Sequence, residues 1–171
     1  MRRVVIAGAV AALGIGTAAA ALPSSAAGPH GVGCQLAGVA TIKPGLSPAP
    51  ATMGYTFKGK LTNCRGSDAK LTGGKVTAKG KGSLSCAGGT SKGVATIVWN
   101  TRKKSVIAFE TNGLANGDEI DFTTKKSNEP TLAKGDRGAG SIAFTSFKGD
   151  CVQKPVSSAT FNGVTLAGNP S

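Results

Sequence analysis

Gly54-Tyr55-Thr56-Phe57-Lys58-Gly59-Lys60-Leu61-Thr62 alternates without a break. Tyr55, Phe57, Gly59 and Leu61 fall on one face, and Thr56, Lys58, Lys60 and Thr62 on the other. Successive side chains of an extended chain point to opposite sides, so this run reads as a strand with one buried face and one wet face. The same period returns at Lys75 to Ser85, where Val76, Ala78, Gly80, Gly82 and Leu84 alternate with Lys75, Thr77, Lys79, Lys81 and Ser83. The inner face of this second run is poor in side-chain volume. Either a bulky neighbour packs over it or another backbone approaches closely.

Outward from these two runs the chain keeps the same habit. Val94 to Asn100 is apolar on both faces and reads as a central strand. It turns at Thr101-Arg102-Lys103-Lys104 into Ser105 to Thr111. Pairing about Arg102-Lys103 sets Trp99 opposite Val106 and Ile97 opposite Ala108. Asn112-Gly113 and Asn116-Gly117 mark turns. Asp118 to Thr124 is a short strand with Ile120 and Phe122 inward, and Lys125 to Gly138 reads as a long polar loop. Ser141 to Phe147 is another strand. Ser158 to Phe161 and Val164 to Leu166 read as a last hairpin across Asn162-Gly163. No window shows the 3.6-residue apolar period of a helix. The expected fold is all-β: an antiparallel two-sheet sandwich or flattened β-barrel of about 7–9 strands with two disulfides.

The N-terminus is of another kind. Met1-Arg2-Arg3 is a basic head, Val4 to Leu22 carries no charge, and small residues follow to Ala27. This is the layout of a secretory signal peptide over residues 1–27, with cleavage leaving a single secreted β domain at 28–171 and no transmembrane anchor in it. In an oxidising compartment four cysteines read as two disulfides. Cys34, Cys64, Cys86 and Cys151 allow three pairings. The midpoint of Cys34 and Cys64 falls in the Pro-rich turn Pro44 to Pro50, which favours Cys34–Cys64 and therefore Cys86–Cys151. The alternative use of cysteine, a metal site, needs close ligand pairs. Spacings of 30, 22 and 65 residues form none, and neither a metal nor a cofactor is expected.

Charge sorts the possible partners. The whole chain carries +12, and loss of Arg2 and Arg3 leaves +10, supplied mostly by lysine. Lys58 and Lys60 point outward on one strand, Lys75, Lys79 and Lys81 on another, and Arg102, Lys103 and Lys104 crown a turn. If the two strands are neighbours they make a basic sheet face suited to an anionic cell-wall polymer or an acidic protein. Nucleic acid is disfavoured. Single-strand binding surfaces interleave exposed aromatics with charge, and this face offers threonine. The plain alternative is solubility and edge protection by lysine.

Catalytic constellations are sparse. His30 is the only imidazole, which argues against a Ser-His-Asp arrangement. Glu110 is the one carboxylate inside a strongly apolar strand, and Asp118, Glu119 and Asp121 cluster where a turn is expected, as a solvated acidic turn. The Gly residues sit between short strands and frame no phosphate loop. The chain is read as a non-enzyme.

The Ala-rich leader, Gly31 to Cys34, the TIKPGL stretch at Thr41 to Leu46, the YTFKGKLTNC arm and the VATIVWN strand together resemble small exported proteins of high-GC Gram-positive bacteria. The resemblance implies an extracellular or cell-surface location and a β fold. Three roles are compatible with these readings. The first is a secreted or surface domain binding an acidic partner through its lysines. The second is a carrier of a small apolar ligand on the glycine-lined inner face. The third is an inhibitor or toxin presenting the Arg102-Lys103-Lys104 turn.

Overall fold

The computed structural model describes residues 31–114 and 117–168. The leader at 1–27, His30 and Asn116 lie outside the described residues. Eight strands follow in chain order: β1 (Gly31–Leu46), β2 (Ala51–Gly66), β3 (Gly74–Ser85), β4 (Gly88–Trp99), β5 (Lys104–Leu114), β6 (Gly117–Ser127), β7 (Arg137–Lys148) and β8 (Val156–Gly168). Each pairs antiparallel with the next, and β1 pairs with β8 over Gly31–Thr41 and Gly168–Ser158, so the sheet closes into a barrel. Of the two architectures the alternation permits, the closed barrel is the one adopted, and closure leaves no sheet edge to protect.

Alternation runs round the wall, interrupted by irregular pairing at Gly33–Gln35 and Thr41–Leu46 of β1, Val106–Ile107 of β5 and Phe144–Ser146 of β7. Tyr55, Phe57, Gly59 and Leu61 face inward on β2, and Val76, Ala78, Gly80, Gly82 and Leu84 on β3. The volume question at β3 has a definite answer. A Cβ on Gly80 would strike the Tyr55 ring, and one on Gly82 would strike Ser91. The pattern recurs: Gly38 lies beneath Phe57, Gly93 beneath Phe109 and Gly138 beneath Phe122. Large rings and missing side chains on adjacent strands are complementary, which fills the wall evenly at low cost in strain. Gly-Val-Ala-Thr-Ile occurs twice, at 38–42 and 93–97, and its opening glycine lies beneath an aromatic ring both times.

Several expectations are corrected. The β4–β5 hairpin pairs Ile97 with Ser105 and Thr96 with Val106, because the turn is closed by Trp99 N–H donating to the Lys103 carbonyl at 2.9 Å. This keeps inward residues opposite inward ones. Trp99 then donates its Nε1–H to Ser105 Oγ at 2.9 Å. Val94 is 52% exposed and Val98 is exposed too, so β4 is not buried on both faces. Asn112-Gly113 lies within β5 and makes no turn. Asn162-Gly163 likewise sits inside a continuous β8, held extended by pairing to Ala37-Leu36 on one side and Ala143-Ile142 on the other.

The two ends of the barrel differ. At one end the disulfide Cys34–Cys64 ties β1 to β2, and Leu71 and Leu132 from the β2–β3 and β6–β7 connections plug the opening. The segment between β6 and β7 is therefore a packed cap instead of a solvated loop. Glu129 within it is 1% exposed. Its carboxylate accepts from Thr101 Oγ1 at 2.8 Å and lies 3.9 Å from Lys103 Nζ.

Candidate functional site

Inside the barrel lies a cavity of about 420 Å³, lined chiefly by Phe57, Phe109, Phe122, Phe161, Ile97 and Ala95, with Ile142 and Phe144 toward the uncapped end. Eight strands give an interior just large enough to be packed with side chains or to hold one small ligand. Here the inward glycines and alanines leave it short of side-chain volume. Pockets of this size suit a drug-sized molecule.

The opening lies at the end carrying the β1–β2, β3–β4 and β7–β8 connections, because the other end is plugged. The β3–β4 turn and the β7–β8 loop stand four strands apart in an eight-strand ring, on opposite sides of the mouth. Cys86–Cys151 links them. The 149–155 loop is thereby drawn across the opening. It is also internally braced: Asp150 Oδ1 accepts from the backbone N–H of Val152, Gln153 and Lys154 at 3.0, 2.7 and 2.9 Å. Those donors, Lys154 foremost, hold the Asp150 carboxyl below the usual carboxylate range. Cys86 N–H donates to the Ser47 carbonyl at 3.0 Å, which joins a third connection to the rim.

Polar groups occupy one side of the cavity near this mouth. Tyr55 Oη and Ser91 Oγ are 2.7 Å apart, and Ser91 Oγ and Thr111 Oγ1 are 2.8 Å apart, giving a chain of hydroxyls from β2 across β4 to β5. Asp118 on β6 continues the belt, its carboxylate lying over Gly113, where a Cβ would collide with it. Asp118 is thus an inward wall residue, in phase with Ile120 and Phe122, and not part of a solvated acidic turn. Burial pushes its carboxyl up to about 6. Burial also raises the Tyr55 phenol, against the opposing pull of the Ser91 hydrogen bond, and the Asp118 charge adds to the rise. The neighbours of Asp118 are Gly113 on β5 and Ile142 on β7, neither able to neutralise it.

The lysines chosen from the sequence are brought together in part. β2 and β3 are neighbours, so Lys58, Lys60, Lys75, Lys79 and Lys81 share one exposed outer face, with Lys60 directly opposite Lys75. Arg102, Lys103 and Lys104 lie at the capped end in the β4–β5 turn, and Lys103 is turned toward the buried Glu129. Arg102 and Lys103 stand apart from the β2–β3 patch, whereas Lys104, the first residue of β5, extends it along the outer row Lys60–Lys75–Val98–Lys104. Both disulfides are those the spacing favours, Cys34–Cys64 and Cys86–Cys151. Glu110 is exposed and pairs with Lys92 at 2.7 Å. Among the described residues no group of three His, Cys, Asp or Glu side chains is placed to hold a metal, and no helix is long and apolar enough to cross a membrane. Sequence reasoning missed the Tyr55–Ser91–Thr111–Asp118 belt. The signal was available in the phase of each strand, since Ser91, Thr111 and Asp118 all fall in register with apolar inward residues. Set against known proteins, the chain matches no family model, no curated protein and no solved structure.

Proposed function

We propose that this protein is a secreted, non-enzymatic carrier that holds a small apolar ligand inside its barrel. The observation that carries the reading is the 420 Å³ apolar cavity, plugged at one end and spanned by a disulfide-held loop at the other. A wall built from glycine under aromatic rings keeps a well-defined space instead of filling it. The outer surface supports a water-facing role. It bears lysine and threonine on β2 and β3, where a lipid-embedded barrel presents an apolar band.

Titration with an environment-sensitive apolar dye tests the reading. Saturable one-site binding is expected, and Ala95→Phe, which projects a ring into the cavity, abolishes it while the unfolding midpoint holds. Absence of saturable binding, or binding indifferent to Ala95→Phe, overturns the proposal.

A second reading has its own support. Like charges directly opposite on paired strands are destabilising, yet Lys60 faces Lys75. A face that keeps such a cost fits an anionic wall polymer or an acidic protein. Retention on an immobilised polyanion at low salt tests it, and elution with the void volume rejects it.

A further inference from the structure

The carrier reading leaves the chemistry of the ligand open, and the cavity wall narrows it. Among the described residues its lining includes no lysine, arginine or histidine. The charged groups it presents are two carboxylates, Asp118 and Asp150. Asp150 is already committed, since its Oδ1 accepts three backbone N–H groups of its own loop. Asp118 is different. Among the described residues no hydroxyl, lysine or arginine reaches its carboxylate, although Tyr55, Ser91 and Thr111 on the same side of the cavity are bonded in a continuous chain. An ionised carboxylate held partly out of water without a partner is costly, and a bound cation or donor removes the cost.

Position strengthens the point. Asp118 lies near the mouth, above the aromatic belt of Phe57, Phe109, Phe122 and Phe161. A ligand entering from the mouth with its apolar body directed to the capped end leaves its head at Asp118. Tyr55 and the nearby Phe144 offer ring faces that attract positive charge and repel negative charge. A fatty-acid carboxylate in the same place would face Asp118 with no counter-charge. At about 30 Å³ per water-sized group, the volume accommodates roughly a dozen non-hydrogen atoms.

We propose that the ligand is a lipophilic cation, an amine or ammonium compound with an apolar body of about ten carbons, whose head pairs with Asp118 beside the Tyr55–Ser91–Thr111 hydroxyls. The inference rests on the carrier reading and sharpens it.

The experiment is competition at pH 8 against a bound neutral dye, using decylamine, 1-decanol and decanoate below their aggregation concentrations. Decylamine is expected to displace the dye at a concentration at least tenfold below that of decanoate, with decanol between them. Asp118→Asn is expected to weaken decylamine about tenfold or more and to leave decanol unchanged. Decanoate competing as well as decylamine overturns the cation assignment, as does an order of potency that survives Asp118→Asn. Failure of the dye itself to bind overturns the carrier reading instead. The wild-type ranking of the three probes needs no variant, so the proposal stays refutable even if Asp118→Asn does not fold.

Discussion

Asp118→Asn should make the barrel more stable at pH 8 and leave it unchanged at pH 3. The Asp118 carboxyl is raised from 3.8 to about 6 by burial. Below 3.8 it is neutral in both folded and unfolded chains and contributes nothing. Between 3.8 and about 6 the unfolded chain gives up this proton while the folded chain keeps it. The unfolded state then binds fewer protons, so stability falls as pH rises through that window. Above about 6 the full penalty is present. At ~1.4 kcal/mol per pH unit the penalty is ~3 kcal/mol, and solvent access at the cavity mouth reduces it to ~2 kcal/mol. Asparagine keeps the shape and removes the charge. For a domain of this length the gain corresponds to a rise of about 5–8 °C in Tm at pH 8. Thermal unfolding followed by circular dichroism at pH 3, 5, 7 and 8 reads the whole profile. An equal gain at pH 3 and pH 8 would assign the effect to packing, and no gain at pH 8 would refute the burial argument.

Other outcomes follow from other parts of the barrel. Glu129→Ala should cost ~2–4 kcal/mol in urea unfolding, because it strands Thr101 Oγ1 and the buried Thr131 hydroxyl and N–H in the cap, with Glu129→Gln costing less. Gly93→Val should destabilise by ~2 kcal/mol or more, since its side chain meets both the Phe109 ring and the Lys79 carbonyl, and a double variant with Phe109→Ala should recover part of the loss. Paired Cys86→Ser and Cys151→Ser substitutions should lower stability by up to ~4 kcal/mol and speed dye release in stopped flow, because the loop then leaves the mouth. Replacing Lys58, Lys60, Lys75, Lys79 and Lys81 by glutamine should lower the salt needed to elute from a polyanion column and leave dye binding unaltered.

The strands were legible where one face is wet and the other dry, as on β2 and β3, because period two is a local property. Closure was not, since it depends on β1 meeting β8, a contact between residues more than a hundred positions apart. The same distance explains the misread Asn162-Gly163. In isolation the dipeptide prefers a turn, but pairing on both sides holds it extended, and Gly163 is needed where the Ser141 carbonyl approaches. Glu129 was placed in a polar loop because its burial comes from a cap that exists only once the barrel is built. Asp118 shows the other kind of failure. Its phase with Ile120 and Phe122 already put it inside, but an acidic cluster beside Asn116-Gly117 reads as a turn, and composition outweighed phase. The disulfides were read correctly because a hairpin midpoint is again local, and the second bridge follows from the first.

An open question of stability gives the cavity its meaning. By the coefficient measured for sealed cavities left in packed cores, ~24 cal/mol per Å³, a space of 420 Å³ would forgo at most ~10 kcal/mol, and water entering at the mouth lowers that cost. Cys34–Cys64 beside the capped end and Cys86–Cys151 across the mouth offset such a cost by constraining the unfolded chain, together by ~8 kcal/mol on a chain-entropy estimate. The closed ladder of backbone hydrogen bonds adds rigidity that cannot be surrendered strand by strand. A ligand that binds only the folded barrel then adds its own increment, ~2.7 kcal/mol at a hundredfold excess over Kd. On the carrier reading, joint removal of the two cross-links should lower the urea midpoint of the empty protein by more than saturating ligand restores.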